Sequence, residues 1–156
     1  MIFNCNYRTV LVTLGVLIAS LQLHSAEIEA VVTDRAPKAV GPYSQAIKAG
    51  PFLFISGQLA INPMKEGIVG KTIEAQTEQV LNNIEGILLS QGLTFANVVK
   101  TEVCLKSMDD FKGMNSVYAK KFSSGVKPAR QAVQVAKLYL DALVEISCIA
   151  YMPAQE

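Results

Sequence analysis

The stretch from Thr72 to Gln91 sets the strongest limit on what this chain can fold into. Ile73, Val80, Leu81, Ile84, Ile87 and Leu88 recur at spacings of three, four and seven, so a helix here has one apolar face. Thr72 is a suitable N-cap and Gly92 an expected stop, while Ala75 stands where a Glu would complete a capping box. The segments around this helix read as strands. Glu29–Thr33, Tyr43–Lys48 and Phe52–Ser56 precede it, the last two flanking the turn Ala49-Gly50-Pro51 as a hairpin. Val98–Lys106, Arg130–Ala136 and Leu143–Tyr151 follow it. A second helix is expected from about Met108 to Phe122, with Phe111, Met114, Tyr118 and Phe122 on one face. The order β-β-β-α-β-α-β-β predicts an α+β fold, a single mixed sheet with both helices on one face. In the last strand Val144, Ile146, Cys148 and Ala150 point one way, and Leu143, Glu145, Ser147 and Ile149 the other. That second face is half apolar with no helix left to cover it, which points to another subunit.

The amino end is different in kind. Thr9–Leu23 carries no charge, Arg8 precedes it and the small pair Ser25-Ala26 follows it. Fifteen residues are short for a membrane span, which needs about 20. Residues 1–26 read as a signal peptide or leader, with an uncleaved anchor and a leader without an export role as alternatives. The folded domain is then 27–156, exported if the leader acts and cytoplasmic otherwise, and it meets a membrane only through an uncleaved leader.

Without the leader, the stretch 27–156 has 13 Lys/Arg and 13 Asp/Glu, a net charge of zero. Phosphate binding needs a positive excess, so nucleic acid is disfavoured as a partner. His24 is the only histidine and lies in the leader, so a Ser-His or Cys-His pair and a His-ligated zinc are excluded from the domain. Cys104 and Cys148 form no CxxC. They read as small buried strand residues, with a disulfide left open if the protein is exported.

Five features could carry chemistry. Arg130 follows Pro128-Ala129 and opens an apolar strand, where it is either a surface residue or a rigid fork for a carboxylate. Glu145 lies between Val144 and Ile146. It either faces solvent, pairs with a lysine, or is buried enough to handle protons near neutral pH. Tyr43 closes the turn Gly41-Pro42-Tyr43, and Ser56-Gly57-Gln58 ends a strand at a glycine that lets a ligand approach the backbone. Asn115 sits on the second helix, where solvation alone would explain it.

Taken in order, GPYSQA (41–46), ISGQLAINP (55–63), VVKTEVCLKSMDDFKGMN (98–115), PARQAVQVAKL (128–138) and VEISCIAY (144–151) resemble the Rid, or YjgF-type, family of reactive-intermediate deaminases. The RidA branch, the 2-iminobutanoate/2-iminopropanoate deaminases, is the nearest in pattern. The resemblance spans 31–153. It implies a chorismate-mutase-like fold, a homotrimer whose sheets form a central barrel, and active sites between subunits. It further implies hydrolysis of 2-imino acids or their enamines to 2-keto acids and ammonia, with no metal or organic cofactor.

By the same resemblance Arg130 matches the arginine that holds the substrate carboxylate, and Glu145 the acid that positions water. Tyr43 matches the site tyrosine, Ser56 and Gly57 the strand-end pair lining the cleft, and Asn115 the helix asparagine that helps fix the ligand. Two departures stand out. Many RidA-branch members carry a cysteine where this chain has Ala132, and the loop 116–129 is shorter than usual. Two other functions compete with the deaminase: a non-catalytic trimer that binds small 2-keto or 2-imino acids, and an RNA-acting, translation-inhibitor-like relative.

Overall fold

The structure, a computed structural model, describes residues 28–65 and 67–153; the proposed leader lies outside them. The elements are β1 (Ile28–Val31), β2 (Ala46–Ala49), β3 (Phe52–Gln58), α1 (Ile73–Ser90), β4 (Val98–Leu105), α2 (Phe111–Lys121), β5 (Ala129–Gln134) and β6 (Val144–Tyr151). They follow the order expected from the sequence.

Six strands make one sheet, ordered β1-β2-β3-β6-β4-β5. All pairs are antiparallel except β4–β5, which α2 connects in parallel. The sheet is therefore mixed, because a parallel pair needs a crossover and α2 supplies it. Helix α1 packs on β3 and β6 and against α2. Val80, Leu81, Ile84, Ile87 and Leu88 are fully buried against Leu53, Val103, Leu105, Val144 and Ile146. At the helix pair Gly113 has no side chain to lose: a Cβ there would sit 2.6 Å from Ile73 Cγ2.

Thr72 caps α1 by accepting from Ala75 N at 3.3 Å, with no acidic partner to close a box. The other boundaries moved for local reasons. The second strand starts at Ala46 rather than Tyr43, because Tyr43 N donates to Gly41 O in a tight turn. The α-helix α2 starts at Phe111, after a 3-10 turn, Met108–Asp110, capped by Ser107. Strand β3 does not end at Ser56. It runs to Gln58 through a bulge, since Ile55 is registered with Cys148 but Gln58 with Ile146.

The uncovered face also differs in one residue. Leu143 was expected on it, but it lies before β6, its N–H is held by Gln76 Oε1 of α1 at 2.8 Å, and it packs on the core. The apolar content of that face comes instead from Phe52, Phe54, Ile149 and Tyr151, with Phe52 edge-on to Tyr151 at 6.0 Å. Cys104 is only partly buried and shares a face with Glu145, whereas Cys148 is buried on the helix side. Both thiols are free, and opposite faces rule out a bond between them within one chain. Burial pushes the Cys148 thiol up to about 12.

Candidate functional site: two half-sites on one sheet

The candidate residues form two groups. The first lies on the uncovered face, where Tyr43, Ser56, Gly57 and Glu145 line one cleft of about 500 Å³ together with Val40, Leu59 and Tyr139. The bulge in β3 is what sets them there. It puts Gly57 under the Glu145 side chain, so close that a Cβ on Gly57 would come within 2.8 Å of Glu145 Cδ. A glycine in a strand marks such a close approach. The Glu145 carboxylate receives no hydrogen bond or ion pair from the described residues, and burial pushes its pKa above the ordinary carboxylate range. A raised pKa makes the ionised carboxylate a better proton acceptor. Ser56 lines the cleft, but its Oγ donates to Ser44 O at 2.7 Å and is already used. Tyr43 is half exposed and, among the described residues, its hydroxyl accepts only from Val40 N, at 3.5 Å.

The second group lies on the helix side. Arg130 is registered with Thr101 on β4, a buried residue beneath α2. Its Nη1 donates to Asn115 Oδ1 at 2.8 Å. The guanidinium lies over Tyr118 with Cζ 4.6 Å from the ring centre, and 5.6 Å from that of Phe111. A cation is attracted to the face of an aromatic ring, so this bed orients the fork. Tyr118 is itself fixed, sharing a 2.8 Å hydrogen bond with Thr101 and stacking on Phe122 at 4.3 Å. Burial raises the Tyr118 pKa, so its phenol stays neutral. Arg130 pairs with no carboxylate among the described residues. Its remaining donors open on a hollow lined by Asn115, Ala119, Ser123 and Lys127.

One chain therefore joins Arg130 to Asn115, and Glu145 to Tyr43, Ser56 and Gly57, but does not join the two groups. Thr101 and Cys104, their respective partners on β4, are three residues apart and face opposite ways. Ala132 is registered with Val103 and packs on the core, so it lines neither group.

Sequence reasoning missed the aromatic bed. Phe111 and Tyr118 read as core because they lie at helical spacing from Met114 and Phe122, and they are partly that. It also missed Tyr139 and the buried amides that hold the loops. Gln45 donates to the carbonyls of Thr33, Ala36 and Pro37 and accepts from Thr33 N. Asn83 donates to Leu59 O and Ile61 O at 2.9 and 2.8 Å. A buried amide must be paired, so each pins the loop it reaches.

The chain is similar to known proteins over most of its length. The family model described as endoribonuclease L-PSP matches residues 33–152. A RutC family protein of Pyrococcus horikoshii is 53% identical over 123 residues, covering 79% of this chain and 97% of that protein. The chloroplastic reactive intermediate deaminase A of Arabidopsis thaliana is 47% identical, covering 84% of this chain and 70% of that protein. The crystal structure of Escherichia coli TdcF with bound serine superposes with a TM-score of 0.76 at 33% identity, covering 80% of this chain and 99% of that one. The chain belongs to the Rid (YjgF/RutC) family.

Proposed function

We propose that the protein hydrolyses reactive 2-imino acids, 2-iminopropanoate and 2-iminobutanoate among them, to 2-keto acids and ammonia. The observation that carries this reading is Arg130: a guanidinium held over the Tyr118 ring, oriented by Asn115, and with no carboxylate partner among the described residues. Such a fork suits a planar substrate carboxylate. The bound serine in the TdcF structure is an α-amino acid with that carboxylate, which favours the same class of ligand.

The two half-sites meet between subunits in this reading. The face bearing Phe52, Phe54, Ile149 and Tyr151 is covered in a homotrimer, and Glu145 of one chain then stands opposite Arg130 of the next. The substrate carboxylate lies on Arg130 and the imine carbon over Gly57. Glu145 takes a proton from water as the water oxygen bonds to C2, and returns it to the nitrogen. The hydroxyl proton of this carbinolamine then passes to the nitrogen, again through Glu145, as the C2–N bond breaks and C2=O forms, so that ammonia leaves and the 2-keto acid remains. An imine is already electrophilic, so orientation, one water and one proton carrier are sufficient. No organic cofactor or metal takes part.

The family description also names an endoribonuclease, but a domain with equal numbers of cations and anions has little to attract a phosphate backbone. Residues 1–26 are proposed as an export leader; the N-terminal residue of the mature protein, read by mass spectrometry, checks it. The function itself is tested by keto acid release from freshly generated 2-iminopropanoate, with RNA cleavage measured in parallel. Acceleration over spontaneous hydrolysis is expected. Binding of pyruvate without acceleration would leave a ligand-binding trimer.

A further inference from the structure

The cleft beside Glu145 does not end at Tyr43. Beyond that ring lies a second chamber of about 410 Å³, and Val40, Tyr43, Gly57, Leu59 and Tyr139 line both spaces. Its own walls add apolar Pro37, Ile61, Pro63 and Leu140 together with the polar Asp34, Lys38, Asn62 and Lys65, and more of its surface is apolar than polar. Pockets of about 300–1,000 Å³ take whole drug-sized ligands, so the methyl group of 2-iminopropanoate leaves this chamber almost unfilled.

The chamber is built rather than left over. One wall, at Ala36 and Pro37, is pinned by the buried Gln45 amide; the other, at Leu59 and Ile61, is pinned by the buried Asn83 amide. The third side is the turn Tyr139–Asp141, where two consecutive non-glycine residues hold positive φ, 52° at Leu140 and 58° at Asp141. Buried Leu138 and Ala142 anchor its ends, and Lys106 holds Asp141 at 2.8 Å. Backbone in this region is unfavourable for residues with a Cβ, and it persists where the surroundings over-determine it. Here it presents the Tyr139 ring and the Leu140 side chain to the chamber.

We propose that this chamber is a side-chain subsite, walled by Tyr139 and Leu140, that fits the site to 2-imino acids with bulky apolar side chains of leucine or phenylalanine size. The inference rests on the deaminase reading above. It also places the protein in a reaction sequence. Amino acids of this kind have no leaving group on Cβ, so β-elimination cannot make their imines. They arise by two-electron oxidation of the amine, the hydride passing to a flavin or nicotinamide acceptor, and the imine released is what this site consumes.

The test uses the full chain and imines made in place by a flavin amino-acid oxidase from leucine and from alanine, with rates corrected for spontaneous hydrolysis. The leucine-derived imine is expected to have the higher kcat/KM, by roughly tenfold or more, as an apolar pocket discriminates missing methylenes. Tyr139→Ala should cut that ratio roughly tenfold, and Tyr139→Phe, which keeps the ring, should preserve it. No preference in the parent protein, or a ratio unmoved by Tyr139→Ala, overturns the subsite while activity on the alanine imine leaves the deaminase standing. Acceleration of neither imine overturns both. If Tyr139→Ala does not fold, the parent's binding of 4-methyl-2-oxopentanoate against pyruvate decides: tighter binding of the larger acid supports the subsite, and equal or weaker binding overturns it.

Discussion

Arg130 and Glu145 project from opposite faces of the same sheet. Their partners on β4 are Thr101 and Cys104, and an odd separation along a strand reverses the face. A site that uses both side chains needs two copies of the chain, and this sets the most direct experiment. Arg130→Ala and Glu145→Gln homotrimers should each lose most of their activity, yet trimers re-formed from an equal mixture should be more active than either. Half the subunits retain each residue, so about a quarter of the intersubunit sites contain both. Light scattering on the parent should give about three times the monomer mass. A monomer, or a mixture no more active than its parts, contradicts the intersubunit site.

Arg130→Ala removes a charge-assisted contact worth about 1.5–3 kcal/mol, so kcat/KM should fall about 10–150-fold. Arg130→Lys should restore only part of this, because an ammonium has no planar fork to lie on Tyr118 and bind two oxygens at once. Steady-state kinetics on 2-iminopropanoate, with keto acid binding alongside, measures both effects.

Glu145 predicts a pH effect with a definite sign. Burial raises its pKa, and the carboxylate is the form that accepts a proton from water. Activity should therefore rise through a limb above the ordinary carboxylate range, and Glu145→Gln should abolish the limb and lower kcat by about 10²–10⁴. Stability runs the other way. The folded state favours the protonated acid, so this group's contribution is present below the unfolded pKa and lost as pH rises through the folded one. Glu145→Gln should therefore unfold at a higher temperature than the parent at pH 7, with the gap closing in acid; an equal gap at both pH values contradicts it.

Gly57→Ala should damage activity without a φ penalty, because the problem is space. The new Cβ meets the Glu145 carboxylate and must displace it. Overpacking of this kind costs about 1–3 kcal/mol, so a modest fall in Tm should accompany a loss of at least tenfold in kcat. A variant with normal kcat shows that the carboxylate need not lie over Gly57.

Leu140→Gly should raise stability by about 1 kcal/mol, since it removes a Cβ from left-handed backbone at a half-exposed position. Thermal unfolding monitored by circular dichroism reads this directly, and an unchanged or lower Tm shows that the turn is not strained.

Much of the fold was legible in the residues. The α1 stripe from Ile73 to Leu88, the alternation in β6, and the order of elements follow from periods of 3.6 and 2, which depend only on local backbone geometry. Where the expectation slipped, the cause was tertiary. Leu143 left the uncovered face because Gln76, 67 residues away, holds its N–H. The end of β3 shifted because a bulge is defined only against its partner strand.

The candidate site divides in the same way. Which residues could do chemistry is a matter of residue type: Arg130 as a fork and Glu145 as an acid among apolar neighbours are both visible along the chain. Which of them meet is a matter of strand register. Pairing Arg130 with Thr101 and Glu145 with Cys104 places them on opposite sides of one sheet, and no local pattern carries that information. The aromatic bed under the guanidinium and the chamber behind Tyr43 were likewise unreadable, because each is assembled from segments far apart in sequence. Local periodicity determined the elements; long-range pairing, which a one-residue slip would reverse, decided the site.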